Sequence, residues 1–157
     1  MKTRRRGLAS RRSKERLNSW DKDIISTIED DYLSFLNGLS WREGFGIEFA
    51  SCTPESGKHL IKRIRKDLSN KKIDVLTLDQ KIDNLISLIE NFPNQSKLEI
   101  LFIVGLEKSL VDYIREGYGG EGDYYTYDSI PPILSHINWQ RENFRDRFPH
   151  LCLVFIF

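Results

Sequence analysis

Cysteine is scarce in this chain. Cys52 and Cys152 are the only two, far apart and each inside an apolar segment. Two buried, reduced thiols are therefore expected, rather than a disulfide or a metal pair. Reduced thiols fit a reducing compartment, so the expected location is the cytoplasm. Long apolar runs are also missing. None approaches the roughly 18 residues that mark a membrane-crossing helix. The basic start, Met1 to Arg6, has no apolar stretch behind it, which excludes a secretory or twin-arginine signal. There is no Gly-x-Ser-x-Gly elbow, no Gly-x-Gly-x-x-Gly fingerprint and no Cys–His pair in a nucleophile's context. His59, His136 and His150 are scattered, with no ligand spacing to cysteines or acids, so no metal site is expected.

What is present is enough chain for one domain. The 157 residues are 39% apolar, an ordinary value for a packed globular core. The net charge of +1 hides an asymmetry. Residues 1–16 carry eight Lys or Arg against one acid, Glu15, so the remainder is net acidic. Residues 1–18 read as a basic, disordered tail, and residues 19–157 as the folded domain. A broad nucleic-acid-binding face is not implied. Nucleic acid enters the reading only through residues 2–16.

Hydrophobic periodicity then divides the chain. A helix is expected over about Asp23 to Asn37, with Ser19 or Asp21 placed to cap it and Asn37-Gly38 placed to end it. Four segments read as strands: Phe45–Cys52, Ile73–Leu78, Leu98–Val104 and Leu151–Phe157. The last three are nearly continuous apolar runs, the pattern of strands covered on both faces. Helical patterns separate them, at Glu55–Leu68, about Lys81–Asn91 and about Pro132–Phe148. Thr53 suits the N-cap of the first of these and Pro54 its first helical position. A Gly- and Tyr-rich stretch, Gly117 to Tyr125, reads as a surface loop. Strand and helix alternating in this way predict right-handed crossovers around a parallel sheet.

Two segments carry the chemistry. The strand Ile100 to Val104 continues into Gly105-Leu106-Glu107-Lys108. In signalling P-loop NTPases the corresponding strand ends in an Asp that organises Mg²⁺, then a small residue, an apolar residue and two acids. Here Val104 stands for the Asp and Lys108 for the last acid. A phosphate loop needs Gly-x-x-x-x-Gly-Lys-Ser/Thr after the first strand. Its glycines let amides curl round the phosphates, and its hydroxyl ligates the metal. The window here is Cys52 to His59, with Gly57-Lys58 in place. Cys52 replaces the first glycine, Pro54 removes an amide donor, Glu55 brings negative charge, and His59 replaces the hydroxyl. Gly57, Lys58 and His59 are therefore the vestigial phosphate loop, and Val104, Gly105 and Glu107 the altered strand end. A helix N-terminus after a strand still attracts anions. No catalytic residue is expected.

Together these segments resemble a known group. Segments 44–52, 72–78, 100–109, 130–134 and 138–146 are similar to the degenerate P-loop, STAND- or AAA-like NTPase domains of bacterial, largely cyanobacterial, tetratricopeptide-repeat proteins. The most specific parts are Gly105-Leu106-Glu107-Lys108 and the helix Asn138 to Arg145. The resemblance implies an α/β, three-layer P-loop NTPase-like parallel sheet of about four strands, with an extra N-terminal helix. It also implies attachment to helical repeats that bind proteins. No such repeat is in the sequence, and a complete core would continue with another helix and a fifth strand. The chain is accordingly expected to be a fragment, incomplete at its C-terminus.

The leading expectation is a pseudo-NTPase module that regulates or assembles through protein contacts or self-association, with no cofactor. The alternative is a STAND-type switch that binds ATP, with Mg²⁺, and hydrolyses little. A third reading is nucleic-acid association through the basic tail.

Overall fold

The computed structural model describes the backbone of residues 19–110 and 132–157, with side chains from residue 28 onward in those spans except Pro132. The basic tail and the Gly117–Tyr125 loop lie outside the described residues. The chain divides into two units, Met1–Gly38 and Leu39–Phe157. Among the described residues no helix is long and apolar enough to cross a membrane.

The first unit holds most of helix α1, Ser19–Trp41. This helix runs through Asn37-Gly38 instead of stopping there. Gly38 keeps a negative φ, and the positive-φ glycine that turns the chain is Gly44, at 88°. Continuing the helix costs about 1 kcal/mol at a glycine. It carries Leu39 into a fully buried position, and burying a leucine offsets that cost by about 2 kcal/mol.

The second unit is an α/β layer structure. Its strands are β1 (Gly46–Ala50), β2 (Ile73–Thr77), β3 (Ile100–Val104) and β4 (Cys152–Ile156). They form one all-parallel sheet in the order β1-β4-β3-β2. Helix α2, Pro54–Asp67, connects β1 to β2, and the shorter α3, Leu85–Glu90, connects β2 to β3. The expected long helix before β4 is two helices, α4 (Pro132–Trp139) and α5 (Arg141–Arg147). They meet at Gln140, whose ψ of 9° leaves the helical range. Two aromatic anchors on the second piece, Phe144 and Phe148, are both buried.

Register assigns the two faces. Ile47, Leu76, Leu101, Ile103, Leu153 and Phe155 share one face, in a core with Leu85, Ile89, Ile133, Ile137, Phe144 and Phe148 of α3, α4 and α5. The other face presents Phe102, Val104, Val154 and Ile156. There Ile156 approaches Gly57 of α2 closely enough to block a Cβ, at 2.8 Å. The faces differ because the chain reverses direction. It crosses two strands from β1 to reach β2, then returns one strand at a time, and a fixed crossover hand sends these connections to opposite sides. β3 and β4 are the inner strands, and β4 is buried along its whole length.

Local chemistry sets the ends of the elements. In α2, Thr53 accepts from the Ser56 amide at 3.2 Å, Pro54 takes the first helical position, and Glu55 and Arg65 complement the helix dipole at either end. Asn84 caps α3 by the same bond to Ser87. At the amino ends of the strands, Glu99 acts as a junction. Its carboxylate accepts from the Lys72 amide at 2.9 Å and from Lys71 Nζ at 3.3 Å, while Lys71 also reaches the Arg42 carbonyl. These bonds to the charged form hold the Glu99 carboxyl below its ordinary pKa, the backbone bond from Lys72 being the main cause.

Two predictions follow from this geometry. Gly38→Ala, in open space within a helix, raises stability by about 0.5–1 kcal/mol. Gly105→Ala, at φ 88° and with its Cβ 2.2 Å from the Leu78 carbonyl oxygen, lowers it by more than about 2 kcal/mol. Urea midpoints measure both. Because Glu99 has a depressed pKa when folded, its contribution is present at neutral pH and disappears as the carboxylate protonates on acidification. Glu99→Gln should therefore be less stable than the parent at pH 7, and the gap should close only as the pH falls through the depressed pKa of the folded carboxyl.

Candidate functional site

Because the chain reverses after β2, the connections from β1 and β3 leave for opposite faces and open a crevice at the carboxyl ends of the strands. A cavity of about 650 Å³ lies there, within the size range that encloses small organic ligands. It runs from the start of α2 along the sheet face beneath that helix. Val75, Val104 and Ile156 from three strands, with Ile61 of α2, form its apolar wall. Lys58, Lys62 and Arg65 of α2 and Lys108 beyond β3 line it with positive charge, and Glu107 is the one acidic side chain among the described lining residues.

Each part has a local cause. Lys58, Lys62 and Arg65 recur at three- and four-residue spacing, so they share one flank of α2. Gly105, at positive φ, turns the chain sharply off β3 into a short 3-10 turn, Leu106–Ser109, that brings Glu107 and Lys108 to the rim. Leu106 and Ser109 anchor this turn by burial, and Ser109 Oγ accepts from the Ile82 amide at 3.0 Å. Arg65 pairs with Asp74 at 3.2 Å. Lys58, Lys62 and Lys108 have no ion pair among the described residues.

The residues singled out from the sequence divide accordingly. Gly57, Lys58, Val104, Gly105 and Glu107 all line the cavity, although the two segments are some fifty positions apart in the chain. His59 does not. It is exposed on α2, 3.9 Å from Glu55. Lys62 and Arg65 are cavity residues that motif reading missed. The signal available was their spacing on the same helix flank as Lys58.

The start of α2 has a specific chemistry. Only Ser51, Cys52 and Thr53 separate β1 from the helix. The Cys52 amide donates to the Phe157 carbonyl at 2.9 Å, extending the β1–β4 pairing. The Ser56 amide is taken by Thr53 Oγ1 and the Gly57 amide by the Thr53 carbonyl at 2.8 Å, while Pro54 has none. The helix thus begins a turn ahead of Gly57-Lys58, and the Ser56 and Gly57 amides, which a phosphate at this point would use, are bonded within the chain.

The remaining candidates are structural. Nε2 of His150 lies 3.1 Å from the Gln95 carbonyl oxygen. His136 packs edge-on against Phe144, with ring centroids 5.8 Å apart, and burial lowers its pKa. Among the described residues no group of three or more His, Cys, Asp and Glu gathers for a metal. Trp139 is 83% exposed and so lies outside the core. In α5, Arg145 pairs with Glu142 one turn back and with the adjacent Asp146, and Arg147 reaches across to Glu90 of α3. Comparison with protein-family models, characterised proteins and solved structures finds no match to this chain.

Cys152 pairs in register with Gly46, so Cys52 lies six residues further along β1, roughly 20 Å away at strand rise. No disulfide can span that distance. Burial pushes the Cys152 thiol up to about 11 and raises that of Cys52. At pH 8 a thiol-specific disulfide reagent should label Cys52 slowly and leave Cys152 unlabelled. Both should react at once in denaturant. Rapid native labelling of Cys152 would contradict the packing of β4.

Proposed function

We propose that this chain is a pseudo-NTPase module: an α/β domain of P-loop NTPase type that acts in regulation or assembly by binding, not by hydrolysis. The observation that carries the reading is the self-capped start of α2. A phosphate loop works by presenting free amides to the β- and γ-phosphates, and here Thr53 occupies those of Ser56 and Gly57. The P-loop element of the proposal rests on the cavity, where the turn into α2 and the end of β3 converge as a nucleotide site requires. The non-hydrolytic element rests on Val104, an apolar side chain at the point where a carboxylate would hold the metal's waters. The donor set thus does not fit a Mg²⁺–nucleotide, and no catalytic step is assigned. For protein contact, the exposed Trp139, with Arg141 and Arg145 following it in the chain, offers the residue types that anchor interfaces.

One observation favours the nucleotide-binding alternative. Lys58 lines the same cavity as Gly105 and Glu107. Equilibrium binding of labelled ATP, with and without Mg²⁺, separates the two readings. Phosphate release should not exceed that of buffer, and Val104→Asp should not create it, since the helix start stays capped. Micromolar ATP affinity that is lost in Lys58→Ala would overturn the pseudo-NTPase reading.

A further inference from the structure

The cavity combines two properties that a nucleotide site does not need together. Its walls, Val75, Val104 and Ile156, are aliphatic and continuous with the sheet. Its cations, Lys58, Lys62 and Lys108, are exposed side chains without ion-pair partners among the described residues. The Ser56 and Gly57 amides at the start of α2 are bonded internally, and Pro54 has none to offer. A polyphosphate would leave most of its oxygens unsatisfied here, and a ribose would face methyl groups. An apolar body with one charged end meets both surfaces with their own kind: aliphatic contact removes apolar area from water, and the ammonium groups meet the anion at the mouth.

We propose that this cavity binds a small amphiphile with a single anionic head group, a carboxylate or a phosphate monoester, on an apolar chain. The proposal rests on the reading of the site as a binding site without hydrolysis, and it names the class of ligand. The head group lies among Lys58, Lys62 and Lys108, and the chain runs beneath α2 along the sheet. A volume of about 650 Å³ admits a body of this kind. Glu107 at the rim disfavours a second anionic head group beside the first, which selects for one head group over several.

Calorimetric titration of the full chain with decanoate, decyl phosphate and decanol tests the idea. Both anions should bind saturably, one per chain, and decanol about tenfold more weakly or not at all. The tighter of the two anions identifies the head group. Combined Lys58→Gln, Lys62→Gln and Lys108→Gln should weaken anion binding by about tenfold and flatten its salt dependence. These side chains are exposed, so the fold is retained, as circular dichroism would verify. Val104→Phe, which fills the cavity from β3, should abolish binding of both anions. Decanol binding as tightly as decanoate, unchanged affinity in the triple-lysine variant, or no saturable binding would each overturn the proposal. ATP hydrolysis by the same preparation would instead overturn the non-hydrolytic reading, whatever decanoate does.

Discussion

The Glu99 carboxylate is the interaction on which the alignment of the sheet depends. One oxygen holds the Lys72 amide at the start of β2, and the other holds the Lys71 ammonium, which in turn reaches the Arg42 carbonyl ahead of β1. The Glu99 carbonyl accepts from the Cys152 amide of β4. Parallel strands have no hairpin to fix their register, so something else must bring their amino ends level. A charge-assisted junction does so here, with the Lys71 side chain largely covered and the Glu99 carboxylate still partly exposed to water. With the amino ends level, all three strand pairs stay in register to the far end, where the cavity opens.

Much of the fold was legible in the sequence because buried parallel strands are nearly continuous apolar runs. All four strands lie within the expected segments, and Thr53-Pro54 marked the start of α2 to the residue. What was missed depended on energies that periodicity does not weigh. Gly38 looked like a helix terminator, but the burial of Leu39 carried α1 past it. The helix before β4 looked continuous, yet it breaks at Gln140. Strand order could not be read at all, since the reversal after β2 is a property of the packed sheet.

The site was half legible. Strand-end and loop motifs located Lys58, Val104, Gly105 and Glu107, and folding brings them to one cavity. Their surroundings were not legible. Whether a Gly-Lys pair sits at a loop–helix junction or inside a helix depends on where the helix starts, and the Thr53 cap decides that. Lys62 and Arg65 belong to no motif, so no pattern marked the basic flank of α2 as part of a site. Only the gap between that helix and the sheet makes them part of a site.

The Thr53 cap has a consequence for how this domain relates to its surroundings. In a helix whose first amides await an anion, part of the folding free energy arrives with the ligand, and the folded population follows ligand concentration. Here the hydroxyl that closes the helix start is encoded three residues ahead of the amide it serves. The first turn of α2 can therefore complete during synthesis without waiting for a small molecule. Any ligand that later enters the cavity meets a finished surface, and its binding acts on what the domain does rather than on whether the helix exists.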